Sequence, residues 1–196
     1  EFDLPPRASM RDISRILRVG DVVMHAITVP EGLTSQQVVE LLLNEPVLSG
    51  AATIPDEGSL LPETYYVPRG HARVALLNKM QAAQKKALAQ LWENRQRGLP
   101  LQTQQEALVL ASIVEKETGQ AGERGQVAAV FVNRLRKRMR LQSDPTIIYG
   151  LVGGKGTLGR PIRLSEISRQ TPYNTYTIFG LPPTPIANPG RAALAA

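Results

Sequence analysis

Glu115 and Glu117 stand near the end of the string LASIVEKETG, residues 110–119, in which mostly apolar residues run into two carboxylates separated by Lys116. A carboxyl group can give a proton in one step and take one in the next, the work of a general acid–base catalyst. Thr103 and Glu106 open the helix that carries the pair. Their T-x-x-E spacing is that of a capping box, whose two side chains satisfy orphan backbone donors reciprocally. The helix runs on through EALVLASIVEKE, and Gly119 is expected to end it in a left-handed C-cap. Both glutamates then fall in the last turn, where the dipole disfavours a carboxylate by about 0.3–1 kcal/mol. That bias favours the protonated, proton-donating form. Periodicity does not separate the two: they project about 160° apart, at opposite edges of the face made by Ala107, Leu110, Ala111 and Val114. A solvated helix end, with Lys116 as partial relief, accounts for the same pattern. The spacing alone leaves the choice open.

Other elements must position this helix. Upstream, MRDISRILRVGD reads as a short amphipathic helix closed by Gly20, and VVMHAITVP as a strand stopped by Pro30. TSQQVVELLLN is a second helix with Thr34 as N-cap. Residues 46–70 are rich in Pro, Gly and Glu; 72–97 form a long helix, which Gly98 and Pro100 break. Downstream, GERGQVAAVFVNRLRKRM is an amphipathic helix with Val127, Val130, Phe131 and Leu135 on one side. Asn133, embedded in that run, either caps a neighbouring element or points into a cleft. LQSDPTIIYG and TPYNTYTIFGLPPTPIANPG read as long loops bearing Tyr149, Tyr173 and Tyr176. Tyrosine offers a flat apolar face and a polar tip, suited to a sugar ring or to a structural corner. The fold class is α+β, predominantly helical with small β elements.

Composition bounds the partners. A chain of 196 residues, 42% hydrophobic and 20% charged, has room for one core, or one domain plus a small module. Cysteine is absent, so no disulfide or thiolate metal site exists, and His25 and His71 lack ligand spacing. No metal or cofactor is called for. No apolar run approaches the ~20 residues that cross a bilayer, and the opening EFDLPP reads like a fragment boundary. The net charge of +6 and pI near 9.9 favour acidic partners: nucleic acid, anionic lipid or an acidic wall polymer. Most of the excess comes from NRLRKRMR, with Arg134, Arg136, Lys137, Arg138 and Arg140. That run is either a solvated helix end or a polyanion contact. No helix-turn-helix, zinc-finger or RNA-type aromatic motif accompanies it, so nucleic acid is not expected.

As ordered strings the segments are more specific. ASIVEKET, VAAVFVNRLRKRMRLQSDPTIIYG and PYNTYTIFGLPPTPIANPG closely resemble the endolytic murein transglycosylase family, called MltG-like or YceG-like. LLPETYYVP is similar to the motif that opens that family's catalytic region. The resemblance covers residues 60–190 or so, in matching order and spacing. Residues 8–45 resemble the end of the LysM-like module that precedes the catalytic domain. The expected division is therefore a partial LysM-like module over 1–45 and a transglycosylase catalytic domain over 46–196. Thr184 departs from the family, which often has glycine in PPGPI. The family also continues past NPG into a stretch with a glycine-glycine-histidine motif, where part of the cleft is expected.

The resemblance implies a lytic transglycosylase acting on peptidoglycan. Such an enzyme cuts the MurNAc-β-1,4-GlcNAc bond of nascent glycan strands without water, leaving 1,6-anhydroMurNAc ends. It implies Glu117, the second glutamate of EKE, as the catalytic residue, first acid and then base. Glu115 is expected to support it, and Glu63 is an outside candidate for the same cleft. Asn133, Gln142, Asp144, Tyr173, Asn174 and Tyr176 are expected around the sugar subsites or behind them. The helix end should open into a groove walled by 141–150 and 171–190. The implied setting is the bacterial inner membrane, with an N-terminal anchor in the full-length protein and the catalytic domain on the periplasmic side. Implied partners are glycan strands and cell-wall synthases. The alternative is a non-catalytic peptidoglycan-binding or scaffold module, which binds strands and leaves them intact.

Overall fold

The computed structural model describes residues 6–19, 22–120 and 122–196. They form an α+β fold with two apolar cores, one at each end of the described chain. The first is built on a small sheet. After helix α1 (Met10–Val19), strand β1 (Met24–Thr28) pairs antiparallel with β3 (Thr64–Pro68), with Ile27 opposite Tyr65 and His25 opposite Val67. Alternation buries Tyr65 and Val67 and exposes their neighbours, as expected of a sheet with one covered face. That cover is α2 (Ser35–Leu43) and the start of α3 (Arg73–Glu93). Val38, Leu42, Leu76 and Met80 are fully buried against Ile27 and Val67. Two-residue strands β2 (Leu48–Ser49) and β4 (His71–Ala72) pair in parallel at the edge. Elements from both sides of residue 45 contribute to this core, β1 pairing with β3.

Thr34 caps α2 as its sequence suggests, and a capping box closes with Gln37. The same device opens α4 (Gln104–Glu117): Thr103 Oγ1 accepts from the Glu106 N–H at 3.1 Å, and Glu106 accepts from the Thr103 N–H. Two expectations about α4 are corrected. The helix does not bury one stripe only; every residue from Leu108 to Glu115 is buried. The reason is that α3, α5 (Arg124–Arg136), α6 (Asp144–Val152) and α8 (Arg191–Ala195) all pack on it. Nor does Gly119 end it in the left-handed region. Thr118 leaves the helix extended (φ −141°, ψ 131°), and its hydroxyl bonds the Gln120 N–H and Glu123 to start the run into α5.

The second core joins Leu110, Ile113 and Val114 of α4 to Ala128 and Phe131 of α5, with Leu141 and Ile186. Burying side chains of this kind stabilises the fold by about 1.5–3 kcal/mol each. A third correction lies here. LQSDPTIIYG is mostly helix rather than loop: α6 starts at Asp144 with Pro145 in its first turn and ends at the left-handed Gly153. Proline at a helix start loses no intrahelical bond, so the DP pair begins the helix instead of breaking it. The remaining element is the four-residue α7 (Leu164–Ile167).

Candidate active site at the end of helix α4

Glu117 emerges exposed at the last residue of α4, but one of its oxygens is held from below. The hydroxyl of Ser143, itself fully buried, donates to Glu117 Oε1 at 2.5 Å. Ser143 is immobilised in turn. Its N–H donates to Thr175 Oγ1 at 2.9 Å, its carbonyl accepts from Thr146 Oγ1 at 2.6 Å, and the Gln142 N–H donates to the Thr175 carbonyl at 3.1 Å. Thr146 and Thr175 are themselves fully buried and hydrogen-bonded to each other. The start of α6 and the 174–176 turn are thus clamped together beneath the carboxylate.

Around this carboxylate stand further groups of the same two segments. Tyr176 donates to Asp144 Oδ1 at 2.7 Å. That bond, helped by burial and by the charges of Asp144 and Glu117, pushes the Tyr176 hydroxyl up to about 12, and Arg134 opposes the rise. Ser143, which holds Glu117, directly precedes Asp144, so Glu117, Asp144 and Tyr176 share one neighbourhood. Arg134 also donates to the Leu141 carbonyl, so α5 supplies a cation to the loop that leads into the site. Gln142 is exposed and left-handed (φ 54°), turning the chain so that Leu141 enters the core and Ser143 faces Glu117. A cleft of about 230 Å³ is lined by Lys116, Pro145, Tyr149, Leu158 and Ile186, and none of Glu117, Ser143, Asp144 and Tyr176 lines it.

Glu115 points elsewhere. Its side chain is 5% exposed and pairs with Arg124 at 3.3 Å, while Oε2 accepts the Gly190 N–H at 2.9 Å. Arg124 also reaches Glu31 at 3.0 Å. Glu115 therefore joins α4 to the start of α5 and to the NPG segment. The intervening Lys116 donates to the Gly32 carbonyl at 3.1 Å.

The structure brings together Glu117, Gln142, Asp144 and Tyr176 among the expected site residues. It does not bring Asn133, which is exposed on α5 with Arg136 as neighbour, or Glu63, which pairs with Arg191 at 3.0 Å. Asn174 lies beneath the surface of the site. It is 1% exposed, its amide donates to the carbonyls of Glu166, Ile167 and Arg169, and its Oδ1 accepts the Tyr176 N–H. Tyr173 is half-buried, its ring 5.1 Å from that of Tyr149 and its hydroxyl 2.7 Å from Thr184 Oγ1. Thr184, the departure from the resembled motif, thereby ties the PPTPI loop to Tyr173. Sequence reasoning missed Ser143, Thr146 and Thr175. A serine before Asp-Pro signals a helix start, but nothing in the string shows it meeting a glutamate 26 residues away. Arg134 was visible only as one cation among several.

An α+β protein with a partly held carboxylate at a helix end is the class that geometry defines. All of the chain, residues 1–196, matches the model of the YceG-like family, and the chain belongs to that family. It is 35% identical over 173 residues to an endolytic murein transglycosylase of Streptococcus pneumoniae (strain D39), covering 84% of this chain and 30% of that protein. It is 31% identical over 139 residues to one of Bacillus subtilis, covering 71% of this chain and 37% of the relative. The chain thus spans about a third of the length of the curated relatives it matches. A crystal structure of a YceG-like protein from Listeria monocytogenes superposes with a TM-score of 0.67 at 25% identity, covering 98% of this chain and 73% of that one.

Proposed function

We propose that the protein is an endolytic lytic transglycosylase of peptidoglycan, with Glu117 as its single acid–base residue. The observation that carries this reading is the Ser143–Glu117 pair: one carboxyl oxygen is fixed from a buried hydroxyl while the group itself is exposed. Membership of the YceG-like family and the names of the relatives support it. Glu117 enters the cycle protonated and gives its proton to the glycosidic oxygen as the C1–O4 bond breaks, releasing the GlcNAc side. The muramyl 6-hydroxyl closes on C1, and its proton returns to Glu117, so the catalyst is regenerated without water. One carboxyl suffices because the nucleophile belongs to the substrate; hydrolases usually need a second group to activate water or attack. Ser143 sets which oxygen carries the transferable proton. Positive charge developing at C1 is stabilised by the nearby Asp144 carboxylate, and Tyr176 and Gln142 offer polar contacts to the sugar.

In the same reading residues 1–45 derive from a LysM-like module. The active domain works on the periplasmic face of the inner membrane, on nascent strands delivered by cell-wall synthases. The test is mass spectrometry of peptidoglycan treated with the parent protein and with Glu117→Gln. Losing an acid–base group typically costs ~10²–10⁴-fold, so anhydro-muropeptides should fall to near background while strand binding survives. Products with reducing ends, or an equally active Glu117→Gln, overturn the proposal. A parent that binds strands but leaves them intact points to the scaffold role.

A further inference from the structure

The cationic run at the end of α5 is not used by the chemistry at Glu117, with Arg134 as its one exception. α5 ends at Arg136, and the Met139 N–H then closes back on the Arg134 carbonyl at 2.8 Å, with Arg138 in the left-handed region (φ 52°). That is the helix-ending turn in which glycine is the usual residue at the left-handed position; here an arginine occupies it. The turn carries Lys137, Arg138, Met139 and Arg140 outward, all exposed. Among the described residues, none of Lys137, Arg138 and Arg140 has a carboxylate partner. Phe179, 68% exposed, completes the surface: Arg140 lies 5.1 Å from its ring centre, and Leu135, Met139 and Phe179 line one shallow cleft with Arg138.

We propose that this patch, the α5 C-terminal turn with Phe179, docks on an anionic lipid bilayer surface. Charge complementarity alone would suit any polyanion, and a hydrophilic polyelectrolyte is held by the cations and counterion release. The apolar side chains decide the matter. An aromatic ring and a thioether exposed among cations that have no carboxylate partner among the described residues match a surface that offers negative headgroups with hydrocarbon just below them. Aromatic rings settle well at that boundary, and long cationic side chains reach back to the headgroups. The inference does not depend on which residue is catalytic, since no member of the patch contacts Glu117.

The experiment is sedimentation of the full chain with vesicles of phosphatidylcholine alone or mixed with phosphatidylglycerol. Binding should require phosphatidylglycerol and weaken as salt is raised. Lys137→Gln with Arg138→Gln should weaken it by about 25-fold, at about fivefold per charge. Phe179→Ser should weaken it by about tenfold through lost apolar insertion. Thermal unfolding should stay unchanged in both variants, because these side chains are exposed. Equal binding to both vesicle types, or none to either, overturns the proposal. So does tight binding to duplex DNA or polyglutamate that is indifferent to Phe179→Ser, which would mark a plain polyelectrolyte site.

Discussion

A proton-transferring carboxyl must be open to substrate and yet held in one orientation, and these demands conflict for an exposed glutamate with several free torsions. Here a buried serine answers the second demand without closing the first, since Ser143 Oγ holds Oε1 from the protein side. Ser143→Ala removes that donor but keeps the backbone bonds to Thr146 and Thr175, so the fold should persist. A hydrogen bond to a charged group is worth about 1.5–3 kcal/mol, which predicts a fall of roughly 10–100-fold in anhydro-muropeptide release with little change in melting temperature. Parent-like rates would remove Ser143 from the mechanism. Glu115 should behave in the opposite way. With it and Arg124 both nearly buried, Glu115→Ala strands a guanidinium whose remaining carboxylate, Glu31, is 40% exposed. Breaking a buried pair from one side costs about 3–5 kcal/mol. A urea titration should show that loss, and an unshifted midpoint would mean the pair is not structural.

Among the elements, α4 has to be rigid for its last residue to be useful, and the burial of Leu108 to Glu115 among four helices achieves that. The loop 57–60 and the PPTPI loop press together beside it. Gly58 is left-handed (φ 78°), and a Cβ there would lie 2.7 Å from the ring carbons of Pro185, which cannot swing away. Its carbonyl also accepts from the buried Gln84 at 3.0 Å. A non-glycine residue in this region costs about 1–3 kcal/mol from backbone strain, before any clash. Gly58→Ala should therefore lower the unfolding free energy, read from a urea titration, by at least that much. Because Ile186, which follows Pro185, donates its N–H to Ser112 of α4 at 3.0 Å, the disturbance should reach activity as well. A neutral Gly58→Ala would show that the two loops separate freely.

At the scale of the whole molecule, the two cores are joined by a polar seam. Asn188 bonds Leu33, Leu60 and Ser35, and Glu57 accepts from the Ser35 N–H at 2.8 Å and the Tyr149 hydroxyl at 3.1 Å. Burial raises Glu57 above its ordinary 4.5, and these bonds only partly restore it; burial and the Glu57 charge push the Tyr149 hydroxyl up too. The sign for stability follows by linkage. Below 4.5 both states hold the proton and the contribution is complete. As pH rises the unfolded chain ionises first, so stability falls until Glu57 ionises within the fold. Urea midpoints should decline from pH 4.5 upward through that window. In Glu57→Gln this part of the slope should vanish, and identical slopes would contradict the assignment.

Much of this was legible in the chain itself. The N-cap at Thr34 and the capping box at Thr103 rest on local spacing, and VVMHAITVP carries a local strand preference; both caps form where expected, and the strand forms over 24–28. The EKE string placed two carboxyls at a helix end because three adjacent residues suffice to say so. What the chain left open was which way each one faces. At about 160° apart, the two glutamates meet different neighbours, and those come from residues far along the chain: Arg124 and Gly190 for Glu115, Ser143 for Glu117. The same holds for Asn174, whose sequence neighbours suggest a site while the carbonyls of the 166–169 segment claim its amide. Local propensity is written within a few residues. The partner of a side chain is settled by packing among elements that only the folded chain brings together.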